Sequence, residues 1–300
     1  MTKLIAFTAA LVTLFVAVVS ASASSVSTES LSSVALTNAS TVKAGLFDYD
    51  RSASLGVVSG KTTTSQGVVR EELSYLAGAS LRLKAYFVHP ASGGPWPLVI
   101  WSPGAGGDRN EQLPAAVDLA RRGGASLLVD APPIRTPCRN DLPLYVNYVV
   151  SRRRAVDLAA RLPNVDAERI AAAGFSFGAE ITATLSGVDH RIVAFSLSSG
   201  RGHHTGFVRI FCKSLGPAKL DAYVAQISVV DPVRWVGRAT SAMLIQNGTR
   251  DELTPRPDVL ALYKASRKPK ELRWYSAGHD LNPAATEYRA QWLLRQLRAR

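Results

Sequence analysis

A serine flanked by two glycines marks a candidate site of nucleophilic chemistry. Residues 171–180 read Ala-Ala-Ala-Gly-Phe-Ser-Phe-Gly-Ala-Glu, which contains the pattern Gly-x-Ser-x-Gly around Ser176. Where a strand turns sharply into a helix, two backbones come close together, and Gly174 and Gly178 lack the Cβ atoms that would clash there. The helix that follows directs free N–H groups at whatever Ser176 attacks. The spacing therefore predicts an exposed nucleophilic serine.

Ser176 needs a general base, because a serine hydroxyl is a weak nucleophile at neutral pH. That base is usually a histidine oriented by a buried carboxylate, and in a sheet with this serine motif the acid and then the histidine follow it along the chain. His279 meets this order, since it lies in the loop after the last predicted strand. The other histidines are interpreted as surface residues (His89, His190) or as candidates to line a pocket (His203, His204).

The carboxylate that orients the histidine is predicted to be Asp251. It follows a predicted strand and its exit turn, Met-Leu-Ile-Gln-Asn-Gly-Thr-Arg at residues 243–250. Glu252 is adjacent but is expected to point in a different direction, and Asp280 follows the histidine too closely to reach its ring. Asp231 is the second candidate.

Acyl transfer also needs N–H donors for the oxyanion that forms on attack, and the loss of one donor costs about a hundred- to a thousand-fold in rate. The N–H of Phe177 is the first candidate, because it follows the nucleophile. The second is expected from the glycine-rich loop at residues 102–108, Ser-Pro-Gly-Ala-Gly-Gly-Asp. A glycine-rich loop can also hold phosphate, but this one has neither the Gly-x-Gly-x-x-Gly spacing nor the lysine of phosphate loops. The oxyanion role is therefore favoured.

The elements that position these residues are predicted to form a mostly parallel α/β sheet of about eight strands flanked by helices. A hairpin over residues 71–75 and 81–88, with Gly78 in its turn, comes first. Short apolar runs then read as parallel strands buried on both faces, at residues 98–101, 126–129, 170–173, 192–195, 243–245 and 272–275. Helical stretches separate most of them, at residues 111–122, 143–162, 177–187, 257–267 and 283–300. In such sheets the working site lies beyond the carboxyl ends of the strands.

Residues 198–238 interrupt this alternation after the sixth predicted strand, and we interpret them as an insertion. One helix is expected within it, at residues 217–225, and its aromatic residues include Phe207, Phe211 and Trp235. Two interpretations stay open: a lid over the site, and a surface excursion with one packed helix.

The chain divides into three predicted parts. Residues 1–23 are typical of a signal peptide, because Lys3 precedes an uncharged apolar run at residues 4–19 and Ala-Ser-Ala at 21–23 offers small residues for cleavage. A membrane span needs about 20 apolar residues, so an uncleaved anchor is the less favoured alternative. Residues 24–55 read as a Ser/Thr-rich flexible linker, and residues 56–300 as the catalytic domain. A secreted or otherwise extracytoplasmic protein is predicted.

Two cysteines, Cys138 and Cys212, fit such a compartment as one disulfide. Both fall in predicted loops at the same edge of the sheet, which favours the bond over two independent thiols. Two cysteines with few nearby histidines give no recognisable zinc site, and no metal or organic cofactor is expected.

The chain is basic, with 35 Lys and Arg against 23 Asp and Glu and a formal net charge of +12. Such a charge favours anionic partners, and association with anionic cell-surface polymers is one expectation. The alternative is a solvated basic surface, because the basic residues are scattered and the one tight run, at residues 152–154, lies in a predicted helix. No nucleic-acid motif accompanies it, so nucleic-acid binding is not expected.

Taken together, five motifs between residues 98 and 297 resemble the α/β-hydrolase superfamily, and within it the dienelactone-hydrolase-like and secreted cutinase-like esterases. They begin at Ser102, Asp166, Gly174, Asn247 and Gly278 and read Ser-Pro-Gly, Asp-Ala-Glu-Arg-Ile, Gly-Phe-Ser-Phe-Gly, Asn-Gly-Thr-Arg-Asp and Gly-His-Asp. The resemblance implies an α/β-hydrolase fold and a Ser176–Asp251–His279 triad, and it assigns the second oxyanion N–H to Ala105.

Three features depart from that family pattern. Ala179 stands where many relatives have another glycine, and Ala105 replaces the larger aromatic residue of the polyester-cleaving members. Dienelactone hydrolases proper use a cysteine nucleophile where this chain has Ser176. The departures leave the triad intact and put an aromatic clamp for polymer chains in doubt.

The sequence therefore predicts an exported serine hydrolase that cleaves small-molecule or lipid-like carboxylic esters through an acyl-enzyme. Two alternatives stay open at this point. One is a peptidase or amidase of the same fold, in which the insertion would serve in place of a larger accessory domain. The other is a catalytically silent protein that binds anionic polymers through its positive charge.

Overall fold

The computed structural model describes residues 45–78, 80–133, 138–139 and 141–298. The predicted signal peptide and residues 24–44 of the predicted linker lie outside the described residues. The described part belongs to one unit of the chain, Lys43–Arg300. Among the described residues, no helix is both long enough and apolar enough to cross a membrane.

A nine-stranded sheet forms the centre of this unit. Its strands are β1 (Val58–Ser65), β2 (Val68–Leu76), β3 (Arg82–Pro90), β4 (Trp96–Ser102), β5 (Ala125–Val129), β6 (Val165–Phe175), β7 (Ala194–Ser198), β8 (Ala242–Gly248) and β9 (Lys270–Tyr275). They lie side by side in the order β1-β2-β3-β5-β4-β6-β7-β8-β9. The pairs β1–β2, β2–β3 and β3–β5 are antiparallel, and every pair from β5–β4 to β8–β9 is parallel. The predicted hairpin and the predicted mostly parallel sheet are thereby confirmed.

The sequence analysis missed β1, which is why it expected about eight strands. This strand reads Val-Ser-Gly-Lys-Thr-Thr-Thr-Ser, and all but one of its residues are exposed. An edge strand of this kind has no apolar run and no alternating apolar face, and it is held by pairing with β2. For the same reason the insertion follows the seventh strand, β7, and not the sixth.

Five α-helices of the described part flank the sheet: α1 (Leu113–Arg121), α2 (Asp141–Ala159), α3 (Phe177–Ser186), α6 (Arg256–Ala265) and α7 (Pro283–Arg298). Alternate residues of one strand face two different helical layers. On β4, Leu98 and Ile100 belong to the core that contains residues of α2, α3 and α6. Val99 and Trp101 belong to the core formed with α1 and α7. Burial on both faces explains why β4 and the other fully buried strands read as mostly continuous apolar runs in the sequence.

The arginine run at residues 152–154 is mostly buried. It does not form part of the solvated basic surface that the sequence analysis considered. It lies in α2, where Arg152 is 0% exposed and Arg154 is 4% exposed. The three guanidinium groups donate to carbonyl oxygens of other segments: Arg152 to Val129 and Asp130, Arg153 to Phe47, and Arg154 to Ala53 and Ser54. Buried charges persist in proteins when such hydrogen bonds satisfy them.

Residues 45–55, which the prediction placed in the flexible linker, pack against the domain. Phe47 and Leu55 are buried, with 3% and 4% exposure. The Tyr49 hydroxyl donates to the Asp157 carboxylate at 2.9 Å. The guanidinium carbon of Arg153 lies 4.9 Å from the centre of the Tyr49 ring. The packed domain therefore begins no later than residue 45, because a few side chains anchor an otherwise polar segment.

The insertion contains α4 (His204–Phe211), α5 (Pro217–Ile227) and four short 3₁₀ turns. A disulfide of 2.05 Å joins Cys212, just after α4, to Cys138, in the connection between β5 and α2. The Tyr223 hydroxyl of α5 donates to Asp141 at 2.9 Å. These contacts fasten the insertion to the start of α2. Its role as a lid stays a prediction.

Candidate active site

Ser176 lies on the turn between β6 and α3. Its backbone has φ 53° and ψ −123°, a region that residues with a side chain rarely adopt. The Ser176 N–H donates to the Ser198 carbonyl oxygen at 2.9 Å, which holds the turn against the end of β7. A Cβ atom at Gly174 would overlap the carbonyl group of Gly178, and one at Gly178 would overlap the carbonyl oxygens of Ser102 and Pro103. Both glycines of the motif are therefore required by close backbone contacts.

His279 lies in the loop between β9 and α7, and its Nε2 is 2.8 Å from Ser176 Oγ. The Phe175 ring packs beside the imidazole, with 5.2 Å between ring centres. The Ser199 hydroxyl donates to the His279 carbonyl oxygen at 2.6 Å and fixes the backbone of the loop.

The close backbone approach that brings the histidine loop into place occurs at Gly248, where β8 ends. A Cβ atom there would overlap the carbonyl oxygens of Ala277 and Gly278. Gly278, which the sequence analysis expected to permit the bend, has open space around the position of a Cβ atom. The glycine that this loop requires is therefore the one on the neighbouring strand.

Asp251 lies after the end of β8 and contacts the other ring nitrogen of the histidine. Both of its oxygens are 3.0 Å from His279 Nδ1. The carboxylate is 0% exposed. It also accepts the backbone N–H groups of Leu253 at 2.9 Å and Thr254 at 3.0 Å. These bonds satisfy the buried carboxylate, so Asp251 can orient the imidazole and stabilise its protonated form.

The other carboxylates weighed from the sequence occupy different surroundings. Asp231 accepts the backbone N–H and the hydroxyl of Thr205 at the start of α4, at 2.9 Å and 3.0 Å. Asp280 and Glu252 are exposed. The structure thus brings together Ser176, His279 and Asp251. Asp231, the second candidate for the carboxylate, contacts Thr205 in the insertion instead.

The glycine-rich loop lies directly against the nucleophile. A Cβ atom at Gly104 would be 3.5 Å from Ser176 Cβ. The Gly104 N–H donates to both oxygens of Glu111, each at 3.1 Å. In the part of the chain that the structure describes, the N–H groups of Ala105 and Phe177 have no hydrogen-bond acceptor. Both N–H groups are therefore free to donate, one in the residue after Ser176 and one in the loop that lies against it.

Two further side chains hold this loop, and the sequence analysis did not find them. The Tyr148 hydroxyl donates to the Pro103 carbonyl oxygen at 2.8 Å, and burial raises the pKa of Tyr148, which keeps this hydroxyl protonated. Arg152 Nε donates to Ser102 Oγ at 3.0 Å. Both residues lie on α2, almost fifty positions along the chain from the loop, and no motif marks them.

The two adjacent histidines of the insertion make separate contacts. His204 is buried, its Nδ1 lies 2.8 Å from a carboxylate oxygen of Glu180, and its ring stacks on Phe177 with 5.2 Å between centres. Burial raises the pKa of Glu180, and the hydrogen bond with His204 works against this shift. His203 pairs with Asp258 through Nδ1 at 2.5 Å. His204 thus packs against Phe177, the residue that follows Ser176, whereas His203 fastens the insertion to α6.

Comparison with solved structures identifies the architecture. Acetyl xylan esterase 1 from Thermoanaerobacterium sp. JW/SL YS485 superposes with a TM-score of 0.72 at 14% identity, over 84% of this chain and 91% of that chain. The acetyl xylan esterase from Paenibacillus sp. R4 gives 0.71 at 19% identity, over 84% and 91%. The α/β hydrolase GrgF from Penicillium sp. sh18 gives 0.58 at 19% identity, over 77% and 98%. The chain has the α/β-hydrolase fold.

The likeness to the α/β-hydrolase fold confirms the fold class that the resemblance implied. No protein-family model and no curated protein matches this sequence. The identities to the solved structures are low, so what the site does is argued from its own geometry. In this α/β-hydrolase fold Ser176, Asp251 and His279 follow the carboxyl ends of β6, β8 and β9, where parallel sheets place their working sites.

Proposed function

We propose that this protein is an exported serine hydrolase that cleaves carboxylic esters through an acyl-enzyme. The observation that carries the proposal is the 2.8 Å contact between His279 Nε2 and Ser176 Oγ, with Nδ1 of the same ring on Asp251. A hydroxyl within hydrogen-bond reach of an imidazole that is itself oriented by a buried carboxylate is an activated nucleophile.

The proposed reaction begins when Ser176 Oγ attacks the ester carbonyl carbon and His279 Nε2 takes the hydroxyl proton. The carbonyl oxygen becomes an oxyanion, which accepts hydrogen bonds from the N–H groups of Ala105 and Phe177. When the tetrahedral intermediate collapses, the bond to the alcohol oxygen breaks and His279 returns the proton to the leaving alcohol. Asp251 stabilises the imidazolium between the two transfers.

The acyl group is then bound to Ser176 and is released by water. His279 takes a proton from the water, the resulting hydroxide attacks the acyl carbon, and Ser176 leaves with the proton. Apart from the ester and this water, each step uses only groups of this chain.

Ester cleavage is favoured as the reaction because two of the solved structures with this fold are acetyl xylan esterases. Export is supported by the signal-peptide pattern of residues 1–23 and by the disulfide between Cys138 and Cys212, which suits an oxidising compartment. A small-molecule ester is the proposed substrate, because two of the solved structures with this fold are esterases.

Replacement of the nucleophile tests the proposal. We expect Ser176→Ala to reduce kcat for p-nitrophenyl acetate and butyrate by at least about a thousand-fold, because the covalent route is lost. Ser59→Ala, on the exposed edge strand β1, is the control and should retain the wild-type rate. Wild-type turnover by Ser176→Ala would overturn the proposal, and faster cleavage of peptides than of esters would favour a peptidase.

A further inference from the structure

A cavity of about 280 Å³ opens beside the candidate active site, between the first turns of α1 and α7. Its wall includes Phe175, which precedes Ser176, and Asp280, which follows His279. It also includes Glu111, which holds the Gly104 N–H of the glycine-rich loop. Residues next to the nucleophile, the base and the glycine-rich loop therefore line the cavity, whereas Ser176 and His279 themselves do not. Its volume is at the small end of ligand pockets, which suits a short substrate chain.

One wall of this cavity carries a buried guanidinium, that of Arg289 on α7. Arg289 is 8% exposed. Among the described residues its guanidinium donates to two neutral groups, the Gln112 amide oxygen at 3.2 Å and the Ser198 hydroxyl at 3.4 Å. Within the described residues, no carboxylate lies within ion-pair distance of it, although the charge of Glu111 favours its cationic form. Burial lowers the pKa of Arg289 to about 10, so the group stays cationic at neutral pH.

A buried cation without a direct ion pair is costly, and proteins retain one where it has a task. Two carboxylates also line the cavity, Glu111 and Asp280, and both belong to exposed residues. Both oxygens of Glu111 accept the Gly104 N–H, which fixes this carboxylate against the glycine-rich loop. The cavity is thus acidic toward solvent and cationic at its buried wall, where Arg289 has N–H groups left for a ligand.

We propose that Arg289 binds the carboxylate of the substrate, so that the preferred substrates are short esters that carry a carboxylate a few carbon atoms from the scissile carbonyl. The inference rests on the proposed ester hydrolase function and adds the substrate class. A planar guanidinium suits a carboxylate because it can offer two parallel N–H groups. The net charge of +12 acts in the same direction, since it attracts anionic substrates toward the site.

The carboxylate can lie on the acid side or on the alcohol side of the ester, and matched substrates separate the two. Monomethyl glutarate carries it on the acid side, and 4-acetoxybutanoate carries it on the alcohol side. The primary amide of each compound has nearly the same shape and no charge. For the preferred side, we expect wild-type kcat/KM to be at least tenfold higher for the acid than for its amide, since hydrogen bonds to charged groups are the stronger ones.

The variant Arg289→Met removes the cation, and we expect it to reduce this acid-to-amide ratio at least tenfold. Arg295→Met is the matched control, because Arg295 lies on the same helix, is exposed and does not line this cavity. It loses the same charge and should keep the wild-type ratio. An equal ratio in wild type and Arg289→Met would overturn the inference while leaving the ester hydrolase function in place. Absence of turnover with all four esters in the wild-type enzyme would overturn the proposed function itself.

A measurement on the wild-type enzyme alone keeps the inference testable if Arg289→Met does not fold. Glutarate and glutaramide are compared as inhibitors of p-nitrophenyl acetate hydrolysis. We expect the inhibition constant of glutarate to be at least tenfold lower, because only glutarate offers a carboxylate to Arg289. Equal inhibition constants would overturn the inference.

Discussion

At the scale of single residues, the candidate active site depends on where backbone atoms can approach each other. Ser176 adopts a positive φ of 53°, and the carbonyl oxygens of the glycine-rich loop lie where Gly178 would have a side chain. This conformation places the Ser176 hydroxyl within hydrogen-bond distance of His279 Nε2. Strain of this kind persists only where the surrounding structure enforces it, and it is found mainly at functional sites.

The histidine loop gives the sharpest residue-scale prediction. We expect Gly248→Ala to lower the free energy of unfolding by about 1–3 kcal/mol and to reduce ester turnover, because the added methyl overlaps the backbone of the loop that carries His279. Gly278→Ala is the matched control, since its Cβ atom meets open space, and it should change stability by less than about 0.5 kcal/mol. Urea unfolding of both variants measures the difference. Equal effects would contradict the assignment of the close approach to Gly248.

Much of the site could be predicted from the sequence because short-range signals mark it. Ser176 stands in a motif, and Asp251 and His279 follow predicted strands in the expected order. Glu111, Tyr148 and Arg289 carry no such signal. Each is a single residue on or next to a helix, and its contact with the site arises from the tertiary arrangement of distant segments, which local patterns do not encode.

At the scale of elements, the insertion is attached through α4 and α5. The disulfide from Cys212 to Cys138 and the Tyr223–Asp141 hydrogen bond both reach the connection that leads into α2. Because α2 also holds the glycine-rich loop through Tyr148, this loop and the insertion share one support.

Removal of the disulfide tests this attachment. The two cysteines are 74 positions apart, and the loss of such a native cross-link typically costs about 2–5 kcal/mol. We expect Cys138→Ser/Cys212→Ser to show this decrease in the free energy of unfolding, and dithiothreitol to produce the same decrease in the wild type. The double variant should not respond to dithiothreitol. A wild-type protein whose stability is unaffected by reduction would contradict the prediction.

Elements were predictable where both faces are buried, and they were missed where they are not. Strands β4, β5, β7 and β8 are buried throughout and read as mostly apolar runs, whereas β1 is polar and exposed on the sheet edge. The arginine run of α2 is mostly buried, which its sequence does not indicate, since three adjacent charges are usually solvated. Here carbonyl oxygens of the segment before β1 satisfy two of these guanidinium groups, and a sequence pattern cannot show that partner.

At the scale of the whole molecule, the formal net charge of +12 is the dominant feature. A charge of this size attracts anionic polymers over several ångströms and is screened by salt, with a Debye length of about 10 Å at 0.1 M. The arginine run does not contribute an exposed patch, because Arg152 and Arg154 are buried. Any polymer association should therefore arise from scattered surface charges.

Retention on a charged matrix measures this association. We expect the protein to bind a dextran sulfate column at about 0.02 M salt and to elute below about 0.5 M, since scattered surface charges are screened there. A neutral dextran column is the control and should not retain it. Passage through the sulfated column without retention at low salt would contradict the expected polymer association and would leave the site chemistry untouched.

The central claim is that Ser176 is an activated nucleophile, and fluorophosphonate labelling of the folded protein tests it most directly. The phosphorus of the probe reacts with an activated serine and loses fluoride, and mass mapping identifies the modified residue. We predict one adduct on Ser176, and a labelling rate at least about a hundred-fold lower for His279→Ala, because the base is then absent. An adduct on another residue, or no adduct on the folded protein, would contradict the account.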